Sequence, residues 1–423
     1  MSEETIKFEY TKDFAMKMDE EDTLKDYRKL FYFPKRKTGE EVIYLCSNSL
    51  GLQPKGVKSL IDKELLMWRI HGVEGHFKGT KWADYQEYVS ELSSYMVGGK
   101  RNEVVIMNTL TVNLHFLFIS FYKPTPKKHK ILIEKSAFPS DQYAVKSQIE
   151  LHGYDPTSSL IEIGPREGEH VIRPEDILEI IKKEGNEIAL VWFPGVNYLS
   201  GQVFDMQKIT EVGHEYGCVV GFDLAHAFAN VELKLHDWNV DFAVWCTYKY
   251  GCGGPGSLAG AFVHEKNIEK NLHRLAGWWG HDKERRFLME PDYVPMDSAE
   301  GWAVSNPPIF SMTPLISSFE IFLDAEMQNL FIKSKLLTNF LEFCLKDIGT
   351  NKIFLTPDDP TMRGCQISIH VKENGKELHQ KLTDKGVICD WREPDVIRIA
   401  PAPLYNKFIE VFEFVEIIRE FLK

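Results

Sequence analysis

Asp223 and Lys249 stand just past two consecutive apolar runs, and as a pair they can do chemistry that neither does alone. The run Cys218-Val219-Val220-Gly221-Phe222 delivers Asp223 at the end of an expected strand. There a carboxylate can face a pyridine nitrogen and keep it protonated, so that the ring withdraws electrons. The next run, Phe242 to Cys246, brings Lys249 to a matching strand end within Thr-Tyr-Lys-Tyr-Gly, where its amine can form a Schiff base with an aldehyde. An imine-forming lysine and a carboxylate for the ring nitrogen are the minimum equipment for pyridoxal phosphate chemistry. A lone Asp after a strand is ordinarily a turn former or helix cap, and a lone Lys beside Gly is ordinarily solvated. Together, in this order and with these flanks, the two read as a site.

Other segments could complete it. Thr109-Leu110-Thr111 precedes an apolar helical stretch from Val112 to Ser120, so backbone N–H groups and the Thr111 hydroxyl could hold a phosphate at a helix N-terminus. The plain alternative is a threonine cap. Phe138-Pro139-Ser140-Asp141 follows the strand-like Ile131-Leu132-Ile133 and sets a ring and two polar side chains at the sheet edge where open α/β sheets bind ligands. Phe138 there could stack on a pyridine ring or could simply belong to the core. Gly251 to Gly256 formally matches G-x-G-x-x-G, but Leu258 to Val263 after it reads as a strand and not as a phosphate-capping helix. These glycines are better suited to a tight backbone turn beside the cofactor. Of the His-Glu pairs, His214-Glu215 and His264-Glu265, neither completes H-E-x-x-H, because Cys218 and Ile268 stand four residues beyond the histidines. The seven cysteines show no C-x-x-C pair, so no metal site and no disulfide framework is expected.

The elements that must position these residues alternate in kind. From Val104 onward, apolar runs of strand length (131–133, 188–193, 218–222, 242–246) are separated by amphipathic helical stretches, the pattern of a mostly parallel sheet wrapped by helices. A helix is expected near 56–70, and Ser47 to Pro54 is a loop with polar groups on offer. Past Pro307-Pro308 a long helical region, about 314–347, leads to a smaller unit with strands near 366–371 and 396–399. A chain of 423 residues with 43% hydrophobic content can build two domains. Its net charge of −12 argues against a nucleic-acid surface. No run approaches the ~18 apolar residues that span a bilayer, and Glu3, Glu4 and Lys7 break any secretory pattern. A cytoplasmic enzyme acting on a small molecule, away from membranes, is expected.

From about Tyr44 to Tyr405 the chain resembles the kynureninase family, fold-type I pyridoxal phosphate enzymes related to class V aminotransferases. The resemblance is carried by SNSLGLQP (47–54), LTVNLH (110–115), FPSD (138–141), FDLAHA (222–227), YK (248–249), LAGAFVHEK (258–266), GWWGH (277–281), SNPPI (305–309) and IRIAPAPLYN (397–406). It implies hydrolysis of L-kynurenine or 3-hydroxy-L-kynurenine to anthranilate or 3-hydroxyanthranilate and L-alanine, in tryptophan catabolism and NAD biosynthesis. It implies an α/β fold: a large cofactor domain (46–305) with a mostly parallel sheet of the seven-stranded type, a smaller α+β domain (306–423), and an N-terminal segment (1–45) packing on the smaller one. Lys249, Tyr248 and Asp223 would be catalytic. Leu110, Thr111, Phe138, Pro139, Ser140, Asp141, Asp223, His226, Tyr248 and Lys249 would bind the cofactor, with Trp278 and Asn306 arriving from the second subunit of a homodimer. Arg398 resembles the arginine that clamps the substrate α-carboxylate. Ser49, His76 and Asn306 would line the substrate pocket, and His76 with Asn306 resemble the pair of members that favour 3-hydroxykynurenine. One departure is Pro194, which stands where the family often has a small hydroxyl residue. Two other readings remain. One is a cysteine desulfurase or selenocysteine lyase using Cys365 as a loop thiol; the other is a dimeric cofactor-binding protein without turnover.

Overall fold

The computed structural model describes residues 6–270, 272–349 and 353–422. Among them the apolar runs form a seven-stranded sheet: β1 (Val104–Met107), β2 (Lys130–Glu134), β3 (Leu160–Ile163), β4 (Ile188–Pro194), β5 (Val219–Asp223), β6 (Phe242–Cys246) and β7 (Ala259–Val263). Their order is β1-β7-β6-β5-β4-β2-β3. β7 runs antiparallel to both neighbours and the other four pairings are parallel. The strands read as unbroken apolar runs because both faces are covered. Successive side chains point to opposite faces. Leu190, Trp192, Phe242 and Val244 therefore enter one core, while Val191, Phe193, Ala243 and Trp245 enter the other.

The N-terminal segment contributes α1 (Lys12–Glu21). Helices α2 (Val57–His71), α3 (Tyr85–Val97), α4 (Leu110–Phe121) and α5 (Pro139–Leu151) belong to the large unit. The expected long helical region is two helices, α6 (Ile309–Asp324) and α7 (Met327–Asp347). The chain breaks at Ala325-Glu326, where Glu326 takes a left-handed φ of 59°, which no helix interior accommodates. The break lets the two helices serve different cores. Met312, Leu315, Phe319 and Phe322 of α6 pack with the large sheet, whereas Leu337, Phe340 and Leu341 of α7 pack with the small one.

The small sheet is antiparallel, ordered β8-β9-β11-β10 from β8 (Ile353–Phe354), β9 (Ile367–His370), β10 (Asp390–Arg392) and β11 (Val396–Ile399). Its core joins Ile367, Ile369, Ile397 and Ile399 to α8 (Phe408–Leu422) and to Ala15 and Met18 of α1. The N-terminal segment is tied on by polar contacts as well: the Asp19 carboxylate accepts from the N–H groups of Phe408 (2.6 Å) and Ile409 (3.1 Å) at the start of α8. A carboxylate at that end suits the helix dipole.

Candidate active site

The parallel strands aim their C-terminal ends at one crevice, where open α/β sheets present ligand sites. Register makes the alignment concrete: Pro194 at the end of β4 pairs with Asp223 at the end of β5, and Asp223 with Val244 of β6. Beyond β6 the chain turns through Thr247, Tyr248 and Lys249. A cavity opens there, lined by Leu110, Thr111, Phe138, Ser140, Asp141, Asp223, His226, Tyr248 and Lys249 among others. Nine residues singled out from sequence thus meet in one space.

The loop 47–54 closes over the lysine. Gly51 N–H donates to the Tyr248 carbonyl at 2.9 Å, and a Cβ on Gly51 would sit 2.4 Å from the Lys249 carbonyl oxygen and 2.5 Å from Cys252 Sγ. Only glycine fits so close an approach. Gly254 and Gly256 carry φ of 86° and 75° in the turn that follows, and β7 comes next as expected, so the glycine-rich segment is a turn and not a dinucleotide loop.

Polar groups converge on the cavity floor. Lys249 Nζ lies 3.0 Å from His226 Nε2. Burial holds His226 well below the usual imidazole range, so the ring is neutral, and its buried Nδ1 has no partner. Asp223 and Asp141 adjoin on the cavity floor, and two buried carboxyls so placed favour one bound proton between them. Burial raises both carboxyls. Asp141 is raised further by the Asp223 charge, whereas the Ala225 N–H (2.7 Å) and the Lys249 charge draw Asp223 back down. The proton therefore resides on Asp141 and the charge on Asp223. Trp192 Nε1 donates to Asp141 at 2.7 Å and fixes it. Burial also pushes Tyr248 upward, keeping its phenol protonated.

These groups fit pyridoxal phosphate. A buried anionic Asp223 needs a cationic or N–H partner, which a pyridinium nitrogen provides. The N-terminus of α4 meets the cavity through Leu110 and Thr111, and its cap residue Thr109 makes no side-chain hydrogen bond, leaving the first N–H groups available to a phosphate. Pro139 begins α5 and shapes the turn that presents Phe138 and Ser140. Pro194 lines the cavity without a hydroxyl.

The remaining residues stand elsewhere. Arg398, on β11 and buried, donates from Nη1 to the Tyr198 carbonyl at 2.6 Å, and Tyr198 lines the cavity. Its Nη2 pairs with Asp390 and reaches Ser49 Oγ at 3.4 Å, while its buried Nε has no partner. Burial lowers Arg398 to about 10, still cationic at neutral pH. His76, Trp278 and Asn306 do not line this cavity within one chain. His76 Nδ1 hydrogen-bonds the Val73 carbonyl (2.9 Å), Trp278 Nε1 donates to the Arg286 carbonyl (3.0 Å), and Asn306 is exposed. Sequence reasoning passed over Glu134, Trp192 and Tyr198, which also line the cavity. A glutamate closing an apolar strand was the one available signal. Cys365 is buried, bonded to Ser334 Oγ (3.2 Å), pushed up to about 12 by burial, and away from the cavity. It is not placed as a reactive loop thiol.

Comparison with known proteins agrees with this geometry. Residues 330–418 match the family described as "Kynureninase C-terminal domain". A kynureninase of Flavobacterium psychrophilum is 50% identical over 419 residues, covering 98% of each chain. That of Mus musculus is 46% identical over 429 residues, 96% of this chain and 92% of the relative. Among solved structures, a cysteine desulfurase from Thermococcus onnurineus NA1 superposes with a TM-score of 0.76 over 94% of this chain and 97% of that one. At 16% identity that likeness speaks for the fold alone. Half of all residues shared with kynureninases from end to end, on a fold-type I scaffold, leads to one conclusion: the chain belongs to the kynureninase family.

Proposed function

We propose that the chain hydrolyses the Cβ–Cγ bond of L-kynurenine and 3-hydroxy-L-kynurenine, giving L-alanine with anthranilate or 3-hydroxyanthranilate. The observation that carries this is 50% identity to kynureninases across 98% of the chain, with Lys249 and Asp223 meeting in one cavity. The cofactor is pyridoxal phosphate, which supplies an aldehyde carbon to hold the substrate amine and a ring that spreads negative charge away from Cα. Lys249 holds the cofactor and, once released, takes the Cα proton. His226, neutral and 3.0 Å away, can accept from the lysine amine and leave it able to act as base. Asp223 keeps its charge toward the ring nitrogen, because the nearby proton stays on Asp141. Arg398 receives the substrate α-carboxylate, a fork-to-fork contact suited to guanidinium. Water adds its oxygen to the γ-carbonyl, that carbon leaves as the aryl carboxylate, and Cβ takes up a proton. Tyr248, protonated and adjacent to Lys249, is our candidate donor.

We further propose a cytoplasmic homodimer in which Trp278 and Asn306 reach the site of the second copy, with His76 near the same face. Supporting this, Phe77, Phe287 and Trp278 form an exposed aromatic cluster with ring centroids 5.8 and 5.5 Å apart, beside the exposed Leu288 and Met289. Among the described residues, no helix is long and apolar enough to cross a membrane. His76 and Asn306 can both bond an added phenol, so we propose a preference for the 3-hydroxy substrate. We propose two units, each with its own sheet, although one core of the large sheet also takes in Leu24, Phe31, Val42 and Tyr44 of the N-terminal segment and Met312, Leu315 and Phe319 of α6, so the bounds near 46 and 306 are crossed by packing. Loaded protein incubated with each substrate should release equimolar alanine and aryl acid, with the higher kcat/KM for the 3-hydroxy form. Unchanged substrates beside a bound cofactor spectrum would overturn the assignment, and equal kcat/KM values would overturn the preference.

A further inference from the structure

Glu134, at the end of β2, is 2% exposed and lines the cavity beside Asp141 and Asp223. Its Oε2 accepts from Asn197 Nδ2 at 2.8 Å. The other side of the same amide organises a turn: Asn197 Oδ1 accepts from Leu199 N–H (2.9 Å), Ser200 N–H (2.8 Å) and Ser200 Oγ (3.0 Å). Gly201 N–H closes the turn on the Asn197 carbonyl at 2.9 Å.

Three consecutive carbonyls of this turn face the small unit. Tyr198 accepts from Arg398 Nη1 (2.6 Å) and Gln366 Nε2 (3.1 Å). Leu199 accepts from Gln366 Nε2 (3.1 Å) and Ser368 Oγ (2.6 Å), and Ser200 from Thr356 Oγ1 (2.5 Å). Ser368 pairs with Arg398 in the β9–β11 register. The turn is therefore the large unit's handhold on the strand that carries Arg398.

We infer that Glu134 and Asn197 are positioning residues for Arg398, holding through the Asn197–Gly201 turn the carbonyl that aims the guanidinium at the substrate carboxylate. An amide can face the turn either way round. Reversed, its NH2 would meet the Leu199 and Ser200 N–H groups, donor against donor. On the far side Glu134 Oε2 accepts from the amide N–H at 2.8 Å, and that contact holds the orientation that builds the turn. The inference rests on the reading of Arg398 as the carboxylate site.

The test is a rescue cycle in the cofactor-loaded enzyme, reading kcat, KM for L-kynurenine and Ki for L-alanine. Asn197→Asp keeps an acceptor toward the turn but replaces the amide donor to Glu134 by a second carboxyl, and the buried pair must either repel or take up a proton that reverses the contact. KM and Ki should rise on the order of tenfold to a hundredfold, with kcat changed far less. Glu134→Gln alone offers Asn197 either an acceptor or a donor, so it weakens the selection and should raise KM and Ki by less than Asn197→Asp does. Combining the two restores a donor–acceptor pair with its direction reversed and should recover most of the loss. Should Asn197→Asp fail to fold by circular dichroism, Asn197→Ser, which keeps a hydroxyl for the turn but cannot span to Glu134, gives the same reading. Arg398→Gln separates the two ideas. If it leaves KM and Ki unchanged, the carboxylate reading falls and this one with it. If it raises them while the Asn197 variants do not, or if the double variant shows no recovery, only the positioning role is overturned.

Discussion

At Asp223 the chemistry depends on which of two touching carboxyls keeps a proton. Burial raises both, yet the Ala225 N–H and Lys249 sit on the Asp223 side, so charge collects where a ring nitrogen can use it. Asp223→Asn should therefore fold normally and lose on the order of a hundredfold or more in kcat, since an amide cannot hold that nitrogen protonated. Steady-state kinetics on the loaded variant decide this, and retention of more than a tenth of wild-type kcat would contradict it. Glu134 allows a test by pH. Burial lifts its carboxyl from 4.5 to about 7. A folded value above the unfolded one means that its contribution is intact below about pH 4.5 and is lost as pH rises toward 7, because the folded state binds the extra proton. Cofactor-free protein should lose up to about 3 kcal/mol of unfolding free energy from this group between pH 5 and pH 8. Glu134→Gln should remove that part of the decline in urea unfolding. Parallel curves for the two proteins would show that Glu134 is not held protonated.

Among the elements, the loop 47–54 has a tighter role than its polar composition suggested. Its glycine rests on the backbone of Lys249, and the loop also carries Ser49, whose hydroxyl donates to Asp390 at 3.1 Å beside Arg398. One segment thus touches both Lys249 and Arg398 of the small unit. Gly51→Ala would push a methyl carbon into the Lys249 carbonyl, and the backbone must shift to relieve it. A loss of about 2 kcal/mol or more in stability, together with weaker cofactor binding, is expected from melting curves and fluorescence titration. Unchanged cofactor affinity would mean that the loop and the lysine move independently.

For the whole molecule, the exposed cluster of Phe77, Trp278 and Phe287 is costly to leave in water and is the face through which the proposed dimer would form. Paired substitutions Phe77→Glu and Phe287→Glu should shift the protein to monomer in sedimentation velocity. Activity should fall with them, since Trp278 and Asn306 would no longer reach a second site. A monomer of full activity would remove those residues from the site and confine it to one chain.

Strand positions were readable because both sheet faces are covered, so β4, β5 and β6 appear as unbroken apolar runs with Asp223 and Lys249 just past their ends. The family was readable because its motifs are local. Three things were not. The break at Ala325-Glu326 lies within a continuous helical pattern and follows from two cores drawing α6 and α7 apart. The coupling of Asp141 to Asp223 arises only because strand register and the turn into α5 bring the two carboxyls together in a dry place. Glu134, Asn197 and Arg398 lie up to 264 residues apart and are linked through backbone carbonyls, which carry no side-chain identity for a sequence to display. Residue types and local motifs determined the family; tertiary structure alone decided the charge states and the contacts of Arg398, because both depend on desolvation and on distances that chain order does not encode.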